Sequence, residues 1–228
     1  MNLNEDGTAT VITGSPDIGG SRASMALMAA EELGIDVHRI TPVVADTESV
    51  GFTDVTEGSR ATFATGMAVV NACRELVDEL KARAATIMGV DSEAVDWIDG
   101  AAVAEEHDPL PLDAITAKAK GTGGPLTVTA SLNAGGAGPS FAAHCCDVAV
   151  DEETGQVTVL RYTTAQDAGT AIHPSYVEGQ MQGGTAQGIG WALNEEYVYG
   201  EDGTMLNAGF LDYRVPVASD LPLSLIHL

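Results

Sequence analysis

Two glycine-rich segments concentrate the residues that could hold a ligand through main-chain groups. The first is Gly14–Ser21, with the sequence GSPDIGGS. The second lies within Ser175–Glu196, which has helical character yet contains Gly179, Gly183, Gly184, Gly188 and Gly190. A glycine inside a helix costs roughly 1 kcal/mol relative to alanine. That cost predicts a close backbone approach at both places, and one large ligand held mainly by main-chain groups would satisfy both. Gln180, Gln182 and Gln187 stand among the helix glycines. A carboxamide both donates and accepts hydrogen bonds, as the edge of a heterocycle requires. The same small residues would equally serve a helix face packed against a neighbouring element.

The Gly14 loop is close to the phosphate-binding pattern G-x-x-x-x-G-K-[ST], but Gly20 stands where the lysine belongs. Without that charge the segment offers amide groups at the start of a helix, which suit phosphate or another polar anion. An ordinary glycine turn is the competing reading. Thr56–Thr62 (TEGSRAT) leads into a long helix in the same way, as a second set of donors or as plain capping by Ser59 or Thr62. Asp167 and His173 are an acid and a histidine close in sequence, but no G-x-S-x-G elbow accompanies them. His173, followed by Pro174, reads as a structural turn residue, and His107 as a solvated one. Cys145 and Cys146 lie in an alternating strand, which predicts one of them facing the core.

Composition narrows the classes. The chain has 228 residues, 45% of them hydrophobic, enough for a real core as one large or two small domains. Its net charge of −23, from 33 acidic and 10 basic residues, leaves no basic cluster for a nucleic-acid backbone or an anionic membrane surface. Low lysine with abundant acid fits a salt-adapted source and an ordinary acidic protein alike. Three cysteines, two of them adjacent, do not make a disulfide framework and fit a reducing cytoplasm. No spacing of His and Cys supports a zinc site.

The elements that must position these residues follow from periodicity. Thr8–Thr13 and Ile40–Val44 read as strands, separated by a helix from about Arg22 to Leu33 with Gly34 as its stop. A long helix spans roughly Thr65–Met88, with Val69, Cys73, Leu76, Val77, Leu80 and Ala84 on one face. Val95–Ile98 and Ala101–Ala104 flank Asp99–Gly100 as a hairpin. Leu112–Lys120 predicts a short helix and Leu126–Leu132 a strand. Phe141–Val150 and Gln156–Gln166 form the clearest hairpin. A smaller one pairs Tyr197–Tyr199 with Met205–Leu206. Helices mixed with hairpin-paired strands predict an α+β, or mixed α/β, domain.

Taken together these segments resemble the molybdenum hydroxylases: the molybdopterin-binding large subunit of xanthine dehydrogenase, aldehyde oxidoreductase and aerobic carbon monoxide dehydrogenase relatives. The stretches that carry the resemblance are TGSPDIGGSRAS (13–24) leading into AAEELGI (29–35), the pair Asp46-Thr47, EGSRATFATGMAV (57–69), the long run 150–196, and GFLDYRVPVASDLP (209–222). The resemblance implies oxidative hydroxylation of an electron-poor carbon, with water as the oxygen source. It implies a molybdenum–molybdopterin cofactor, in bacteria often a cytosine dinucleotide, and iron–sulfur clusters and FAD on partner subunits or domains. It further implies a small-molecule substrate, a larger assembly and a cytoplasmic location. By position, Gly19, Gly20 and Ser21 match the family's first cofactor loop. Gly58, Ser59, Arg60 and Ala61 match the second, and Gln180 matches a cofactor-contacting glutamine on the glycine-rich helix.

The sequence departs from the family in three places. The first loop commonly reads Gly-Gln-Gly-x-x-Thr; here it is Gly19-Gly20-Ser21-Arg22-Ala23-Ser24, without the glutamine. The family's general base is a glutamate in a Gly-x-Gly-Glu motif beyond the Asp-Tyr-x-x-Pro segment, and that motif is not in these residues. The tail 223–228 does not continue the family pattern. The expectation is therefore a partial second molybdopterin-binding domain over residues 1–222, with a truncated or non-native tail, inactive alone and without a catalytic residue of its own. The competing expectations are a nucleotide- or phosphate-binding module using the Gly14–Ser21 loop, and an acidic structural domain whose glycines only allow close packing.

Overall fold

The computed structural model describes every residue except Ala45, Thr47, Ser59, Gly136, Ala137, Leu223 and Leu228, and gives only the backbone of 224–227. The chain divides into two compact units, Met1–Ala137 and Gly138–Leu228. Helices and small sheets mix throughout, which makes the fold mixed α/β.

The first unit is organised by a strand–loop–helix–strand segment. Strand β1 (Asn2–Leu3) is followed by β2 (Ala9–Thr13), helix α1 (Ser21–Leu33) and β3 (Ile40–Val44). β2 and β3 run parallel, joined by α1, and β1 lies antiparallel to β2 on the other side. Alternation along β2 turns Ala9, Val11 and Thr13 inward. Helix α1 ends where the sequence predicts, on Gly34 in the left-handed conformation (φ 66°). Helix α2 (Gly66–Met88) buries Val69, Cys73, Leu76, Leu80 and Ala84. The predicted apolar face is the one that meets the core. Met25, Ala29 and Leu33 of α1 join the same cluster.

Strands β4 (Asp96–Ile98) and β5 (Ala101–Val103) make the predicted hairpin, with Asp99 at φ 47° and Gly100 at φ 75°. Two positive φ angles in the two-residue loop are what the right-handed twist of the strands demands. This turn sits against the end of α1. A Cβ on Gly34 would lie 2.6 Å from the Gly100 nitrogen, and one on Gly100 would lie 2.7 Å from the Gly34 oxygen. Strand β6 (Leu110–Pro111) completes this sheet.

Two expectations here were too long. The predicted helix Leu112–Lys120 is α3 (Leu112–Thr116) followed by a 3-10 turn at Ala119–Gly121. The predicted strand Leu126–Leu132 is only β7 (Leu126–Thr127). Its partner β1 is two residues long, and beyond it only Val128 continues the pairing, with Met1.

In the second unit β8 (Ala142–Val150) and β9 (Val157–Gln166) form the predicted long hairpin, with a bulge at Asp147/Val148. Helix α4 (Pro174–Leu193) starts with Pro174 in its first turn. The hairpin expected at 197–206 shrinks to one bridge, Tyr199 with Met205. The backbone of β10 (Ser224–His227) runs parallel to β9. Cys145 and Cys146 are both exposed, which corrects the expectation that one would face the core. Neither face of β8 is buried here, so alternation has no inside to select.

Candidate functional site

The first glycine loop lies between β2 and α1. Gly19 (φ 61°) and Gly20 (φ 75°) are both left-handed, a conformation that costs a side chain roughly 1–2 kcal/mol. Ser21 follows in right-handed geometry. The change of hand from Gly20 to Ser21 turns successive amides to one side of the chain, a geometry that suits an anion. An anion from the chain itself already reaches it. The Arg22 amide donates to Asp17 Oδ1 at 3.0 Å, and the Arg22 guanidinium lies 3.3 Å from Oδ2 of the same carboxylate. Ser21 is buried and its hydroxyl donates to the Pro16 carbonyl at 3.2 Å.

The second segment leads into α2. Gly58 is left-handed (φ 53°), with open space where a Cβ would stand. Ser59 lies outside the described residues. Arg60 is half-buried; its amide donates to the Glu57 carbonyl at 2.9 Å and its Nη1 to the Asp54 carbonyl at 3.4 Å. Ala61 is buried and opens a π-helical turn, Ala61–Thr65, before α2 proper. Such turns are rare and cluster at functional positions.

The structure brings these two segments together. Ser15 Oγ lies 2.6 Å from Thr65 Oγ1. Gly14 faces Thr53, whose Oγ1 would be 2.1 Å from an added Cβ. The close approach inferred for Gly14 is therefore met by the chain itself. Beside these contacts is a cavity of about 680 Å³ bordered by Thr13, Gly14, Thr53, Arg60 and Thr65. Its apolar wall comes from Val11, Ala64 and Val69. Thr13 is 8% exposed, and its hydroxyl has no hydrogen-bond partner among the described residues. A buried hydroxyl without a partner costs about 1–3 kcal/mol.

The glycines of α4 split into two groups. Gly190 is packed: a Cβ there would lie 2.2 Å from Glu195 Oε1 and 2.7 Å from Pro216 Cδ. Gly179, Gly183, Gly184 and Gly188 have no described atom within 4 Å of that position. Gln180, Gln182 and Gln187 are exposed beside them. Among the described residues no packing contact accounts for the four open glycines. His173 caps the helix start, stacks on Tyr176 at 3.8 Å between ring centroids and lies 3.2 Å from the Ser175 hydroxyl, a turn residue in its contacts. His107 is exposed.

Several contributors carry no signal in the sequence. Ser15 and Thr65 are an ordinary serine and threonine, and Thr13 reads only as the end of a strand. Asp17 was legible in principle, since an Asp shortly before a helix is a common partner for its first amides.

The first unit sets Gly14 of the first loop and the turn that opens α2 beside a polar-edged cavity suited to a ligand, while Gly19, Gly20, Ser21, Gly58 and Ala61 are not among the residues that border it. The chain belongs to the molybdopterin cofactor-binding domain family, whose pattern matches residues 1–222. It is 30% identical over 229 residues to the xanthine dehydrogenase molybdenum-binding subunit of Escherichia coli O157:H7, covering 96% of this chain and 30% of that protein. It is 28% identical over 210 residues to the carbon monoxide dehydrogenase large chain of Hydrogenophaga pseudoflava, covering 89% of this chain and 26% of that one. Its fold superposes on quinoline 2-oxidoreductase from Pseudomonas putida 86 with a TM-score of 0.85 and 25% identity, over 100% of this chain and 30% of that one. The chain thus spans about 30% of the length of these relatives. Among the described residues no helix is long and apolar enough to cross a membrane.

The residues present fit such a cofactor. In the first unit, left-handed glycines expose main-chain donors that suit phosphate oxygens, and Arg60 beside the cavity suits an anion.

Proposed function

We propose that this chain is the molybdopterin-binding portion of a molybdenum-dependent oxidoreductase that hydroxylates a carbon centre of a small molecule with oxygen from water. When bound, the cofactor supplies the oxidant that accepts the electrons released as the carbon gains oxygen. The chain's own residues bind and orient. Gly19, Gly20 and Ser21 offer main-chain donors from the first loop; Gly58, Ser59, Arg60 and Ala61 offer donors and one positive charge from the second. Gln180 supplies a carboxamide from the open face of α4. The electrons pass on to iron–sulfur and FAD partners in a larger cytoplasmic assembly, a reading supported by the words "subunit" and "large chain" in the relatives' names. The cytosine dinucleotide form of the cofactor belongs to the same proposal. No Gly-x-Gly-Glu motif occurs in the 228 residues, so the chain binds without turning over substrate. Residues 1–222 form the binding domain, and 223–228 lie outside it.

The observation that carries this reading is the juxtaposition of the two glycine loops in one unit through Ser15 and Thr65, in a chain of this family. The alternative is a simple nucleotide- or phosphate-binding module that uses the Gly14–Ser21 loop. Production in a host that makes molybdopterin, followed by metal and pterin analysis of the purified chain, separates the two. Molybdenum and pterin should co-purify in equal amounts. Tight binding of a simple nucleotide without molybdenum would favour the module instead.

A further inference from the structure

We propose that Ser15 is a positioning residue that, through Thr65, locks the first glycine loop to the second so that both face one ligand. The inference rests on the cofactor reading above. Ser15 is 4% exposed, and its hydroxyl is 2.6 Å from that of Thr65, 50 residues along the chain. Either hydroxyl can donate. The residue just before it, Gly14, is pressed against Thr53. Two neighbouring residues of the first loop therefore clasp two points on the segment that carries the second. Thr65 ends the π-helical turn that Ala61 begins, so holding Thr65 fixes the register of Gly58–Ala61. Arg60 and Thr65 both border the cavity. A shift of this turn would carry Arg60 away from it. Binding that needs donors from two loops is weakened when the loops move independently, because the ligand must then order them itself.

Four variants of the full chain test this. Ser15→Ala and Thr65→Val each delete one hydroxyl of the bond, whereas Thr65→Ser keeps it. Thr116→Val is the control, since Thr116 is also buried and its hydroxyl donates to the Glu5 and Asp113 carbonyls. Two quantities are read: the urea midpoint of the cofactor-free chain, and the rate at which bound pterin is lost after dilution. Ser15→Ala and Thr65→Val should release pterin about tenfold faster, the size of one net hydrogen bond. The double variant should release no faster than either single one, because both remove the same interaction. Thr65→Ser and Thr116→Val should release at the wild-type rate, the latter despite a lower midpoint. Release that is unchanged in Ser15→Ala, or that follows the midpoint in Thr116→Val too, overturns the inference and leaves the cofactor reading standing. A wild-type chain that never carries pterin overturns both. If Ser15→Ala does not fold, the contrast of Thr65→Val with Thr65→Ser decides.

Discussion

Arg83 shows how a single side chain can be essential to the scaffold without belonging to the site. Its side chain is 6% exposed while its partner Glu79, one helical turn earlier, is 49% exposed. Its guanidinium donates to Glu79 at 2.9 Å and also to the Gly124 carbonyl, which ties α2 to the turn before β7. Arg83→Met keeps most of the volume and removes both bonds. It should lower stability by about 1–3 kcal/mol, measured by urea unfolding, because a half-buried carbonyl loses its donor. The cysteines test burial more directly. Burial, and then the charge of Glu32, push the Cys73 thiol up to about 12. Cys73 therefore stays protonated and shielded at neutral pH, while Cys145 and Cys146 are exposed. Alkylation of the native chain should modify Cys145 and Cys146 and spare Cys73 until urea is added; rapid native labelling of Cys73 would contradict the packing of α2.

At the scale of elements, the glycines of α4 separate packing from function. Gly190 meets Glu195 and Pro216, so Gly190→Ala should destabilise the chain. Gly183 and Gly188 meet none of the described residues, so alanine there should stabilise the cofactor-free chain by up to about 1 kcal/mol through helix propensity alone. The same substitutions should weaken pterin retention if a ligand needs that face. Thermal unfolding and pterin content of the purified variants read the two effects apart. Elements of this kind were legible where local rules dominate. The apolar face of α2, the Gly34 stop of α1 and the Asp99–Gly100 turn all follow from spacing or from backbone conformations that few residues accept. Legibility failed where a distant partner decides. The length of β7 is set by β1, more than a hundred residues earlier in the chain. The exposure of Cys145 and Cys146 depends on whether anything covers the sheet. Ser15 and Thr65 belong to no pattern, because their contact exists only once α1 and α2 have packed.

At the scale of the whole chain, the two units differ in how they are built. The hydrophobic cluster lies in the first unit, drawn from β2, α1, α2 and the β4–β6 sheet. Among the described residues of the second, only Thr164, Thr185, Ile189 and Gly190 are buried. The glycine loops of the first unit thus stand beside this buried cluster, a firm support for the main-chain recognition proposed for them. The glutamines and open glycines belong to a unit with little core of its own. Main-chain groups of the glycine-rich segments are proposed to hold molybdopterin. Amide hydrogen exchange, compared between the cofactor-loaded and cofactor-free chain, tests it most directly. The account predicts that loading slows exchange at Gly19–Ser21, at Gly58–Ala61 and along residues 179–188 of α4. Bound molybdopterin with exchange at all three unchanged, or slowed only elsewhere, would contradict it.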